Sequence, residues 1–176
     1  MLISRTEAYG LLEQLGASNR LIRHAHFVSD AADSLLLDFR MLDVPVDVLT
    51  VQLGAVLHDA GKIAHPHELG EPGSCHEGAG EALLLAHHVQ PEIARCCRSH
   101  AAWNLAEVTL EERIVALADK LWKGKREADL ELLVIDETAA RLGLSRWDIF
   151  ERLDSAFEEI AASGSQRVEE SRREIQ

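Results

Sequence analysis

Four signatures of the form Ser/Thr-x-x-Glu/Asp divide this sequence into stretches of helical length: Ser4-x-x-Glu7, Ser74-x-x-Glu77, Thr109-x-x-Glu112 and Ser145-x-x-Asp148. A hydroxyl at such a position takes an orphan N–H of the first turn, and the acid three residues on reaches back to the cap, so each marks a helix start. Gly16, Gly124 and Gly143 fall where helices stop. Pro45 and Pro91 suit a first helical turn, where a missing N–H costs nothing. Between these marks the apolar residues recur at helical spacing, as in Leu21, Ala25, Val28, Ala32, Leu35 and Phe39, and strand signals are nearly absent. The expectation is an all-α fold, a single compact bundle of about eight helices at roughly 4–15, 18–40, 45–60, 74–89, 91–103, 109–123, 126–142 and 145–162. The longest stretch without helical signal, 61–73, is rich in Gly, Pro and His, and a loop of that length in a helical domain usually carries function. Residues 1–164 read as one domain, and the charged segment 165–176 as a fraying tail.

With 176 residues, 47% of them hydrophobic, the chain can bury about 70% of the surface its unfolded form exposes, enough for a core without staples. Its 30 acidic against 18 basic residues leave a formal charge of −12. Such a surface repels nucleic-acid polymers and anionic membranes, which are held by clustered Lys and Arg, so neither is expected as a partner. No apolar run approaches the roughly 20 residues that cross a bilayer. Met1-Leu2-Ile3 is followed at once by polar and charged residues, not by the apolar core of a signal peptide. Cys75, Cys96 and Cys97 are odd in number and two are adjacent, which argues against a disulfide framework and for a reducing, cytoplasmic compartment.

The nine histidines are more informative than the charge. His24 lies in an apolar stripe with Leu21 and Val28, whereas His26, two residues on, turns to the opposite side and to water. Taken alone, a histidine on an apolar stripe is ordinarily a core residue. The following helix runs apolar through Val51, Leu53, Ala55, Val56 and Leu57 and then ends in His58-Asp59. Two adjacent ionisable residues closing a buried helix are costly unless paired or bound to metal. The simpler alternative is Asp59 capping loop N–H groups. His76 falls in the first turn of the helix begun by Ser74, His100 continues the stripe of Ile93, Cys96 and Cys97, and Asp119 ends Ile114-Val115-Ala116-Leu117-Ala118. Together these put imidazole and carboxylate on the inward faces of five predicted helices, the way metal sites are built in bundles. Imidazole and carboxylate without thiolate suit Mn, Fe, Co, Ni, Zn or Mg rather than a cysteine-type structural zinc site.

In this order, His24, His58-Asp59 and Asp119 resemble the H…HD…D signature of the HD-domain superfamily of metal-dependent phosphohydrolases. The contexts agree: Arg23-His24 with Val28 four on, Leu57-His58-Asp59-Ala60-Gly61-Lys62-Ile63, and Ala116-Leu117-Ala118-Asp119-Lys120-Leu121, so that the likeness spans about residues 20–125. His76, in His76-Glu77-Gly78-Ala79-Gly80, and His100, in Arg98-Ser99-His100, resemble the extra ligands of members that hold two metals. The resemblance thus implies one or two divalent ions (Mn, Co, Ni, Mg, Zn or Fe). With two, His24, His58 and Asp119 hold one, His76 and His100 hold the other, and Asp59 bridges. With one, His76 and His100 surround the site or touch substrate.

The resemblance also implies catalytic roles for Asp59, orienting or deprotonating water, and for Lys62, contacting phosphate. Arg20, Arg23, Lys62 and Lys123 are candidates to bind the substrate's anionic group. Lys120, Lys125 and Arg126 complete the densest basic run, and a helix C-terminus complementing its dipole explains Lys125 and Arg126 equally well. His65 and His67 are candidates for substrate contact, while His87 and His88 match no ligand position and are expected in solvent. Trp103, Trp122 and Trp147 read as bulky core or interface fillers before base-stacking platforms, and Gly54 as a point of close helix packing. The expected function is hydrolysis of a small phosphorylated compound, such as a nucleotide, by a chain free to form homo-oligomers. Two alternatives stand beside it: a mixed-valent di-iron oxygenase of the same six-ligand pattern, and a non-catalytic regulatory or binding module.

Overall fold

Every regular element in the computed structural model, which describes residues 1–172, is helical. In chain order these are α1 (Arg5–Gln14), α2 (Asn19–Met41), α3 (Val48–Leu57), 3-10 turns at Ala60–Ile63 and Pro66–Leu69, α4 (Cys75–Ala86), α5 (Pro91–Ala94), α6 (Cys96–Ser99), α7 (Leu110–Leu121), α8 (Ala128–Leu142), α9 (Arg146–Ala162) and α10 (Gly164–Arg172). The all-α bundle expected from the sequence is the one observed. No helix among the described residues is long and apolar enough to cross a membrane.

Helix α3 is the hinge of the packing. Val51 and Ala55 join Val28, Leu35 and Phe39 of α2, Ile114 and Leu117 of α7, Val134 of α8 and Phe157 of α9 in the larger core. Leu53, Val56 and Leu57 join Ala8 and Leu12 of α1, Ala25, Leu84, Ile93 and Cys97 in the smaller one. A helix that serves two cores must be apolar all round, which is why its sequence shows no polar face. Gly54 allows one of these contacts: a Cβ there would lie 2.8 Å from Cys96 Sγ and 3.0 Å from Val115 Cγ2. The three cysteines are free thiols, and burial raises the pKa of Cys96 and Cys97.

Several boundaries differ from expectation, each for a local reason. α3 starts at Val48, not 45, because Asp47 accepts from Thr50 N–H and caps it there. The helix expected over 91–103 ends at Ser99. Beyond it the Arg113 guanidinium donates to the carbonyls of Trp103 and Leu105, drawing the chain into turns. Ser74 makes no capping bond, and the first N–H groups of α4 go instead to Glu68. The stretch 61–73, expected as a loop, contains the two 3-10 turns. The segment 165–172, expected to fray, is helical: Arg167 donates to the carbonyls of Leu121 and Ile160, and Val168 packs on the core. Positions 173–176 of that expected tail lie outside the described residues.

Thr109 and Glu112 form the capping box that starts α7, the helix ending in Asp119. Glu112 is 1% exposed and accepts from Arg95 Nε at 2.8 Å, Arg95 Nη2 at 2.7 Å and Thr109 N–H at 2.9 Å. Burial works to raise its pKa, but the Arg95 fork and the cap N–H override it and hold the carboxyl below its ordinary value. Such a group stabilises the fold above its unfolded pKa, about 4.3, and that contribution is lost as pH falls through the folded value. Glu112→Gln is therefore expected to cost about 2 kcal/mol at pH 7. The gap should narrow as the pH is lowered toward 3, read from urea unfolding of both proteins. A gap independent of pH would show that the charge of Glu112 is irrelevant.

Candidate metal centre

Five elements deliver six ionisable side chains to one point. His24 projects from α2, His58 caps the C-terminus of α3 with Asp59 next, His76 stands in the first turn of α4, His100 caps α6, and Asp119 lies in the last turn of α7. All except the partly buried His24 are buried. They form two groups, His24 with His58 and Asp119, and Asp59 with His76 and His100, with the candidate ligand atoms of each group within 4.8 Å of one another. Asp59 faces both. Its Oδ2 lies 2.9 Å from His24 Nε2 and 3.6 Å from His58 Nε2, and its Oδ1 lies 3.3 Å from His76 Nε2 and 3.7 Å from His100 Nε2.

The second ring nitrogens define what the first can do. His58 Nδ1 donates to Ala55 O at 3.0 Å, His100 Nδ1 to Cys96 O at 3.2 Å, and His76 Nδ1 to Glu68 Oε2 at 2.5 Å. Carbonyls and carboxylates only accept, so each neutral ring presents a bare Nε2 lone pair to the centre. There the lone pairs meet carboxylate oxygens and, at 3.2 Å, the Nε2 of His24 opposite that of His58. His76 Nε2 and Asp59 Oδ1 are buried with no hydrogen-bond partner. Two buried acceptors facing each other at 3.3 Å without a donor are costly in a protein interior and are satisfied by a cation, so the residues present fit a divalent ion.

The protonation equilibria of Asp59, Asp119 and His100 suit such a centre, whereas that of His76 runs the other way. Burial would raise the pKa of Asp59, but the surrounding imidazoles of His58, His24 and His76 hold it well below the usual carboxylate range. Asp119 is likewise well below, where His58 and Lys123 outweigh burial. Burial and the charge of His58 push His100 down to about 4, leaving it neutral, as a ligand must be. The carboxylates of Asp59 and Glu68 on either side of His76 outweigh burial and raise its pKa.

A family model for the HD domain matches residues 18–122, well over half the chain. The chain belongs to the HD domain family. Proteins of this family bind divalent metals and are generally hydrolases. An uncharacterized protein of Methanocaldococcus jannaschii is 28% identical over 152 residues, covering 78% of this chain and 85% of that one. No solved structure matches.

Around the HD dyad His58-Asp59, the basic residues divide. A cavity of about 170 Å³ opens over His24 and is walled by Arg20, Lys62, Leu69, Trp122 and Lys123. Lys62 Nζ lies 2.6 Å from Asp59 Oδ2, Lys123 Nζ 3.1 Å from Asp119 Oδ2, and Lys120 Nζ 3.8 Å from the same atom. Arg20 donates to Leu69 O at 2.7 Å at the rim. Arg23 does not line this cavity, and its Nε is buried without a partner. Lys125 pairs with Glu127, and Arg126 binds Glu131 and Asp154, so both are tied to the fold. His65 and His67 lie on the loop outside the cavity wall, and His87 and His88 are exposed. A larger cavity of about 540 Å³ is lined by Cys75 and Ser99, neighbours of two of the six, but by none of the six themselves.

Two residues of this HD domain have roles that their sequence positions did not disclose. Trp122 is no mere filler: its Nε1–H reaches Asp119 Oδ1 at 3.3 Å, and its ring stands edge-on to His24 at 5.2 Å, backed by stacked Phe27. Trp103 is partly buried against the core, and Trp147 is 75% exposed, so it fills no core of this chain. Glu68 matches no motif in the sequence, although it sits in the Gly-, Pro- and His-rich stretch whose length points to function. The indole of Trp122 carried a weaker signal, one turn beyond Asp119 on the same helix face.

Proposed function

We propose that this HD domain hydrolyses a small phosphorylated compound, with His24, His58, Asp59 and Asp119 holding one divalent ion and Asp59, His76 and His100 holding a second. The observation that carries the reading is Asp59, whose two oxygens are aimed one at each imidazole–carboxylate group. Divalent ions at such a centre supply Lewis acidity, lowering the pKa of water and offsetting charge on a phosphoryl oxygen.

The chain's own residues do the rest. Asp59, ionised, orients the attacking water, whose proton is given up to solvent as the bond to phosphorus forms. Oxygen from that water joins phosphorus, the ester P–O bond breaks, and the departing oxygen takes up a proton from solvent, so that one water is consumed overall. Lys62, beside Asp59, and Lys123, beside Asp119, keep both carboxylates ionised and offer ammonium groups to the anionic substrate. Trp122 and Leu69 close one wall against water. The cavity's small volume and three cations suit a phosphate group with the remainder of the compound outside. A formal net charge of −12 disfavours a nucleic-acid polymer or an anionic membrane as partner.

Metal-stripped protein supplied in turn with Mn, Co, Ni, Mg and Zn should release phosphate from members of a nucleotide and sugar-phosphate panel. Well-folded protein without turnover on any combination overturns the reading, as does bound iron with substrate-dependent oxygen uptake. Arg20 makes no hydrogen bond or ion pair with the six central residues, so Arg20→Ala should separate binding from chemistry. We expect KM to rise about tenfold, equivalent to about 1.4 kcal/mol, with kcat within threefold. An unchanged KM would remove Arg20 from the substrate site.

A further inference from the structure

Glu68 is 7% exposed, and its carboxylate is bound to the beginning of α4. Oε1 accepts from Cys75 N–H at 3.1 Å, and Oε2 accepts from His76 N–H at 3.0 Å and from His76 Nδ1 at 2.5 Å. The chain is shaped around it: a Cβ on Gly73 would lie 2.4 Å from the Glu68 carboxyl carbon. Ser74, at the N-cap position, makes no side-chain cap bond, so a residue from across the loop takes over that task. A cap needs only backbone N–H groups. Glu68 holds in addition the ring of one of the six central residues.

The need for it follows from helix geometry. His58 and His100 anchor their Nδ1 atoms on carbonyls of their own helices, Ala55 O three residues back and Cys96 O four back. His76 stands in the first turn of α4, with no helical carbonyl behind it. Its Nδ1 partner must come from elsewhere, and Glu68 is that partner. With Nδ1 engaged, Nε2 points at Asp59 Oδ1, and these two atoms are buried without hydrogen bonds.

We propose that Glu68 is a positioning residue for the second ion: it fixes the tautomer and direction of the His76 ring and thereby makes the His76–His100–Asp59 site. This rests on the two-ion reading above. A carboxylate behind a ligating imidazole orients it and strengthens it as a donor, and losing one costs about 10- to 100-fold in metal affinity.

The test is calorimetric titration of metal-free, full-length protein with Mn²⁺, comparing wild type with Glu68→Ala, Glu68→Gln and His76→Ala. Wild type should take up two ions and H76A one. E68A should keep the first affinity and bind the second ion about 10- to 100-fold more weakly. E68Q retains the volume and one accepting oxygen but turns an NH₂ toward backbone donors, so it should fall between. It also carries the test if E68A fails to fold. Nitrogen-15 shifts of His76 give a readout apart from affinity: protonated Nδ1 and bare Nε2 in wild type, averaged values in E68Q. Two ions bound by E68Q and by E68A with wild-type affinities would overturn the role of Glu68 alone. One ion bound equally by wild type and H76A would overturn the two-ion reading and the role of Glu68 with it.

Discussion

Asp59→Asn is expected to reduce phosphate release by about a thousandfold or more, corresponding to roughly 4 kcal/mol of transition-state stabilisation. The carboxylate is 3% exposed and serves both sides of the centre through different oxygens. Asparagine keeps the size but gives up the charge and exchanges one oxygen for an NH₂. Whichever way the amide turns, one group of histidines faces an NH₂, which cannot ligate an ion, in place of a carboxylate oxygen. The Lys62 ammonium, now 2.6 Å from Asp59 Oδ2, loses its counter-charge as well. The variant should therefore bind fewer ions, and adding excess metal should not restore kcat. Mn²⁺ stoichiometry and kcat at saturating substrate check this. Turnover within tenfold of wild type would remove Asp59 from the chemistry.

Gly61→Ala is expected to be the most damaging single-methyl change in the chain. A Cβ at Gly61 would lie 1.8 Å from His76 O, 2.6 Å from Gly80 N and 2.7 Å from His76 C. These are backbone atoms, so no side-chain rotation relieves the overlap, and the start of α4 must move away from the 3-10 turn. The cost is expected at about 3 kcal/mol. For a domain of this size that is a fall in Tm of roughly 6–12 °C. Because His76 rides on the displaced turn, the second ion should be lost before the fold is. Gly10→Ala provides the contrast. That position lies within α1 with nothing within 4 Å of the new methyl, so the variant should gain roughly 0.5–1 kcal/mol from helix propensity. Thermal melts of the three proteins, with and without Mn²⁺, decide the matter. A G61A protein that melts with wild type would refute the close approach.

The elements that were legible in the sequence share one property: their signals lie within one or two helical turns. Asp148 takes the Ser145 N–H, and Thr109 with Glu112 caps α7, because both partners of a capping box are three residues apart. The stripe from Leu21 to Phe39 lies along one face of a single helix, and those residues are buried. The reading broke where a distant residue intervened. Arg113 draws Trp103 and Leu105 out of a helix, Arg167 with Val168 holds a segment whose charge suggested fraying, and Glu68 replaces Ser74 as the cap of α4. The basic run after Asp119 shows the same limit within seven residues. Lys120 and Lys123 turn back to Asp119, while Lys125 and Arg126 pair with acids of the following segments.

The sequence by itself determined the donor inventory of this protein and its inward direction. Helical periodicity says which side of a helix a residue occupies, and burying His58, Asp59, His76, His100 and Asp119 is costly unless they meet something. Only the tertiary structure decided what they meet. Which oxygen of Asp59 faces which imidazoles depends on the angles at which α2, α3, α4, α6 and α7 converge, set by interlocking side chains far apart in the chain. The tautomer of His76 depends on a carboxylate delivered by a loop whose path no periodic signal encodes. Periodicity is a property of one helix, whereas a metal centre is a property of several helices meeting.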